Sequence, residues 1–193
     1  MLRKTIGWLV CSIAVVYVIT PVSLVAKGKS VTQMQSNDQE AADLLIVIQD
    51  RRMQQQEPDR FIKAIERLGE MQSEAAIPFL IKLLTFSRTF SWENRKVDII
   101  DEEHPVTILG RYPAAGALFH IGQPALAALV RVIEVNQADS LASQNAEYTV
   151  KAIFREDPKA GVQYLRGAAD RSQAPEASKK LREAAERANR SLQ

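Results

Sequence analysis

The feature that most constrains this chain is an echo. Phe61, Ala64, Ile65, Leu68 and Gly69 return 53 residues later as Ala114, Ala117, Leu118, Ile121 and Gly122. Each set is followed by a Pro-x-Leu-x-x-Leu-apolar run, at 78–84 and again at 124–130. Spacings of three and four residues put the apolar side chains on one face of a helix. Each copy therefore predicts a helix, a break and a second helix. A single pair of this kind cannot bury both sides of its apolar stripe, so copies must stack on one another. From Pro124 to Pro158 the step is 34 residues, an ordinary helical-repeat period. The 53-residue spacing is thus a repeat stretched by an insertion.

The rest of the chain can be read around the two copies. Ala41, Leu44, Leu45 and Ile48 predict a preceding helix, capped by Ser36 or Asn37 with Gln39 or Glu40 three residues later. Its pattern dissolves at Gln54–Gln56 and Pro58. In the first copy Gly69 sits where a left-handed residue would end a helix, and Pro78 places the start of the next, over about 74–86. Residues 87–112 break the period. Val97 and Ile99, then Val106 and Ile108, alternate over short distances, which suggests a small β-hairpin or an extended loop. The second copy runs from Pro113 to Val135, with a tight corner at Gly122-Gln123-Pro124 that implies antiparallel neighbours.

A weaker third copy pairs Ala146, Thr149, Val150 and Ile153 with Val162, Leu165 and Ala169. Asp157 caps and Pro158 opens its second helix, and Phe154 stands at the corner in place of glycine. A last helix over 175–191 keeps a narrow face of Leu181, Ala184, Ala185, Ala188 and Leu192, as a solenoid cap should. The expected fold is all-α. It is a short α-solenoid of about three antiparallel helix pairs, with capping helices and one long inserted loop or hairpin.

The run Ala117-Leu118-x-x-Ile121-Gly122-x-Pro124-Ala125-Leu126-x-x-Leu129-Val130 and its echo resemble the HEAT repeat family. In particular they resemble the short bacterial HEAT-like repeats also seen in the phycobilin lyases. The resemblance covers about residues 58–170. It implies stacked helix pairs whose second helices line a concave face, and it implies binding more than chemistry. Three departures stand out. The link from Gly69 to Pro78 is seven residues longer than its counterpart, 87–112 is inserted, and the third copy lacks the glycine.

The first 26 residues form a separate module. Arg3 and Lys4 precede 22 uncharged residues, Thr5–Ala26, with an apolar block from Trp8 to Ile19. This order is that of a secretory signal cut after Ala26, or of an uncleaved anchor, since about 20 residues span a bilayer. Either way the expected location is exported. Cys11 lies behind Val10 inside the block, not behind the small residue that lipidation needs. Residues 27–36 are polar and suggest a linker, and 37–193 the repeat domain.

Two of the 25 basic residues and none of the 23 acidic ones lie in the leader, which leaves 23 of each. There is no net field to draw nucleic acid. Cys11 is the only cysteine, so beyond the leader there is no disulfide, cysteine-bound metal or thiol chemistry.

Catalytic signatures are missing. No Gly-x-Ser-x-Gly elbow occurs, and the eight glycines form no phosphate loop. His104 follows Asp101, Glu102 and Glu103 and could join a hard-cation site, though a solvated acidic turn is the plainer reading. His120, off its apolar stripe, faces either solvent or a pocket near the insertion. No catalytic, cofactor or metal residue is assigned. The candidates for a protein or peptide partner are Trp92, His104 and Tyr112 in the insertion and Lys82, Arg131 and Arg166 on second helices. The leading expectation is an exported, non-enzymatic interaction or scaffold module, with no nucleic-acid partner and membrane contact only through an uncleaved leader. The rivals are a lyase-like enzyme or accessory holding a small ligand near 87–112, and a membrane-anchored structural protein.

Overall fold

The computed structural model describes residues 31–88 and 105–192, and among them every regular element is helical. The leader, Trp92 and His104 lie outside the described residues. The first helix, α1 (Val31–Gln49), begins inside the stretch expected as a linker, so Ser36 and Asn37 are interior to it, not caps. Nothing from Val31 to Gln49 is a glycine or proline, and a cap-forming side chain does not stop a helix that has no breaker before it. The break comes at Asp50, whose carboxylate accepts from the Arg52 amide and opens α2 (Arg51–Gln56).

Then comes α3 (Pro58–Glu70), whose Phe61, Ala64, Ile65 and Leu68 are all buried, as their spacing requires. Gly69 does not end this helix. It lies buried within it, and an added Cβ would stand 2.6 Å from the Ala117 Cα. The left-handed residue is Gln72, at φ 52°. Around it the Ser73 amide bonds the Leu68 carbonyl at 3.0 Å and the Gln72 amide bonds Gly69 at 2.9 Å, which is the Schellman closure one turn later than expected. The next segment is a helix of mixed pitch. A 3-10 turn (Glu74–Ala76) leads into α4 (Ile77–Leu80), and a second 3-10 turn (Ile81–Leu83) ends it.

The C-terminal part of the insertion is also helical. Val106 and Ile108, which suggested a strand, belong to α5 (Pro105–Arg111). Pro105 opens the helix, and packing of α5 on α6 and α8 outweighs both a two-residue alternation and the weak helix propensity of Val106, Thr107 and Gly110. The second copy follows as α6 (Pro113–Ile121), a 3-10 turn (Gln123–Ala125) and α7 (Leu126–Val135). Gly122, at φ 78°, turns the two by 115°. No single described helix is long and apolar enough to cross a membrane.

The last three helices are α8 (Leu141–Ile153), α9 (Pro158–Arg171) and α10 (Pro175–Arg190). Asp157 caps α9 through the Ala160 amide at 3.1 Å, as expected. The third pair is not built like the others. Its α9 packs chiefly on α10 and only lightly on α8, while α10 also lies beside α7. Thus α3, α6 and α8 form one row, and α4, α7 and α10 follow in the other, with α9 outside. One apolar core joins them, centred on Ile65, Leu68, Leu118, Leu129, Ile133 and Leu165. Burying one such side chain contributes about 1.5–3 kcal/mol.

Candidate functional site

Two grooves open on this scaffold. The larger, about 810 Å³, is lined by the first row together with α9 and the end of α10, and no residue of α4 or α7 lines it. Its floor is made of small side chains, Gly116 and Ala117 on α6, Ala152 on α8, Gly161 on α9 and Ala188 on α10. Small residues let helices pack closely, but on the outer side of the crossing they leave space unfilled. Phe119, Tyr148 and Phe154 rise from the floor, and Leu109 and Gly110 of α5 form a lip.

The insertion is tied to this groove. The Arg88 amide donates to the Arg111 carbonyl at 2.8 Å, so the two stems of the insertion meet. The Arg88 guanidinium pairs with Glu66, a groove residue. Glu70, also a groove residue, pairs with Arg67 at 3.2 Å. The lining also holds three basic side chains, His120, Lys151 and Arg155. Arg155 lies over the Phe119 ring at 5.5 Å, and Lys151 over the Tyr148 ring at 5.5 Å. Burial holds the Lys151 ammonium below its ordinary value, Glu147 one turn away opposes that shift, and Arg187 adds to it. Glu147 itself is buried and held by Arg187 through bonds of 2.6 and 3.0 Å.

The smaller groove, about 460 Å³, lies on the second row between the α4 segment and α7. Lys82 and Arg131 both line it, beside Ile77, Ile81 and the exposed Val135. Arg131 is paired with Glu134 at 3.2 Å, and Lys82 lies 5.7 Å from the Phe79 ring.

Residues 62–86 match the family model of the PBS lyase HEAT-like repeat. The match supports a HEAT-like repeat protein, and it falls on the copy with the stretched link. No curated protein and no solved structure matches the chain.

The candidates drawn from the sequence are thus scattered. Lys82 and Arg131 share the smaller groove, while Arg166 is exposed on α9 and lines neither. Tyr112 is half-buried and packs on the core, with Arg111 5.9 Å from its ring. Phe86 meets Phe61 edge-on at 5.2 Å, which makes it a packing residue. His120 lines the larger groove, one of the two places that its position off the apolar stripe allowed. Sequence reasoning missed Phe119, Tyr148, Lys151 and Arg155. The family resemblance points to the second helices for a binding face, while Tyr148, Lys151 and Arg155 are spaced along α8 and just beyond, at i, i+3 and i+7 on the first row. Among the described residues no three side chains cluster as metal ligands.

Proposed function

We propose that this protein is an exported, non-enzymatic interaction module that holds a segment of a protein partner in the first-row groove. The observation that carries this reading is the groove itself: about 810 Å³, largely apolar, with a lip supplied by the insertion. That volume lies inside the range of about 300–1,000 Å³ usual for binding sites. Its walls come from α3, α6 and α8, completed by α9 and the end of α10, so it runs across several packed helices, a shape suited to a chain segment. HEAT-like repeats typically mediate protein–protein interaction, and the family match agrees with that use.

A photo-cross-linking amino acid at His120 tests the groove, with one at Arg166, outside both grooves, as the control. A partner captured at His120 and not at Arg166 is the expected result, and capture at Arg166 alone removes the groove from the function. Export rests on the order of basic, apolar and small residues over 1–26. Fractionation with mass spectrometry of the native N-terminus tests it. The chain is expected outside the cytoplasm, starting at Lys27 or with the leader retained, and a cytoplasmic chain with an intact leader overturns export.

A further inference from the structure

The charges around the larger groove do not balance. Its two carboxylates are already engaged, Glu66 by Arg88 and Glu70 by Arg67. Its two strong cations are not: among the described residues no carboxylate pairs with Lys151 or Arg155. The nearest acid to Lys151 along α8, Glu147, is taken by a two-bond pair with Arg187. Asp157, two residues beyond Arg155, caps α9, and neither it nor Glu156 lines the groove. Both free cations instead rest over aromatic rings, Lys151 over Tyr148 and Arg155 over Phe119. Stacking of this kind pre-orients a cation without neutralising it. Lys151 is also half-buried, and a partly desolvated ammonium that no carboxylate pairs with directly is costly until one arrives.

Resting on the groove reading above, we infer that the occupant is a peptide segment with an apolar run and one adjacent carboxylate, which Lys151 and Arg155 receive. The apolar side chains cover the Gly116, Ala117 and Ala152 floor. The carboxylate completes two charge-assisted hydrogen bonds at the rim, and Arg offers the two-pronged geometry that matches it. Such a rim gives specificity against basic segments as well as affinity for acidic ones.

The test uses the full-length protein and a phage-displayed library of random dodecapeptides. Three proteins are compared: the wild type, Gly110→Trp, and the double variant Lys151→Glu/Arg155→Glu. Gly110 lies in α5 at the groove lip, where an added Cβ would meet nothing within 4 Å, so tryptophan there blocks the groove without disturbing the core. The wild type is expected to enrich apolar peptides bearing Asp or Glu. Gly110→Trp abolishes their binding with an unchanged melting temperature. The double variant binds them about tenfold or more weakly and enriches peptides bearing Lys or Arg instead. If peptides bind and Gly110→Trp blocks them, but charge reversal changes neither affinity nor selection, the carboxylate inference is overturned and the groove reading stands. If no peptide is retained, or Gly110→Trp leaves binding intact, the groove reading itself fails.

Discussion

The two copies of the repeat share five residue positions and differ in what the last one does. Gly122 has φ 78°, and the chain turns by 115° there. Gly69, at the matching position, stays helical and lets α3 and α6 touch, because Ala117 occupies the space a side chain would need. One glycine is required for backbone freedom and the other for close approach. The longer link of the first copy explains the difference. Gln72 accepts the left-handed conformation there, stabilised by a side-chain bond of 3.2 Å to the His120 carbonyl. The first copy thus moves its turn three residues on and reuses the freed glycine as a contact between copies.

Substitution should separate the two roles, and the largest effect is expected at Gly69. Gly69→Val forces Cβ into the Ala117 backbone and should destabilise by about 3 kcal/mol or more, as severe overpacking does. The milder Gly69→Ala should be partly rescued by Ala117→Gly, which removes the atom 2.9 Å away. Gly122→Ala should cost about 1–2 kcal/mol from its backbone conformation and gain nothing from Ala117→Gly. Urea unfolding of Gly69→Ala, Gly122→Ala, Ala117→Gly and the two double variants reads the comparison. Equal rescue at both sites would show that the glycines do the same job.

The second helices of the two copies end in a parallel way with different chemistry. The Leu84 carbonyl, one residue past the α4 segment, accepts from the buried Asn145 amide of α8 at 2.7 Å. At the end of α7, the Asn136 and Glu134 carbonyls accept from the Lys180 ammonium of α10 at 2.6 and 3.2 Å. Each end is closed by a side chain from a later helix, so the stacking order is written into the caps. Asn145→Ala leaves a buried carbonyl unmet and should cost about 2 kcal/mol. Lys180→Ala exposes its carbonyls to water and should cost about 1 kcal/mol or less. Thermal unfolding of the two variants ranks them, and a larger loss at Lys180 would reverse the account.

The apolar spacing made the helices and their inner faces legible. Phe61, Ile65 and Leu68, and likewise Leu118, Leu129 and Ile133, are all buried. Prolines and Asp157 placed several helix starts correctly, because those signals act within one turn of chain. What was not legible depends on residues far apart. The role of Gly69 is set by Ala117, 48 positions away. The preference of α9 for α10 over α8 is decided by how Ala-rich faces nest, which periodicity cannot rank. The groove is a consequence of small residues on α6, α8 and α9 coinciding in space. Its aromatic and basic rim sits on the first row, whereas the family resemblance pointed to the second. In α5, packing on α6 and α8 outweighed an alternation too short to define a strand.

A last contrast concerns what covers each copy. The second lies between α3 and α8, but the first is covered by α1, fastened in part by Glu40 to Arg67 at 2.7 Å. The Arg67 guanidinium holds the Glu40 carboxyl below its ordinary value of 4.5, chiefly by hydrogen bonding, and Glu40 in turn raises Arg67. A carboxyl with a depressed folded value contributes stability above its unfolded value and loses it as pH falls through the folded one. The pair's contribution should therefore be complete above about pH 5.5 and fade on acidification below 4.5. Both side chains are exposed, so the effect is the smallest here and should shrink in high salt. Glu40→Gln removes the charge and leaves the Arg67–Glu70 pair intact. Melting curves of wild type and variant should differ slightly at neutral pH in low salt and draw together as the Glu40 carboxyl protonates below 4.5. A difference that persists undiminished at pH 3, or grows with salt, would mean that packing of Leu44, Leu45 and Ile48, and not this ion pair, accounts for the effect of the variant on α1.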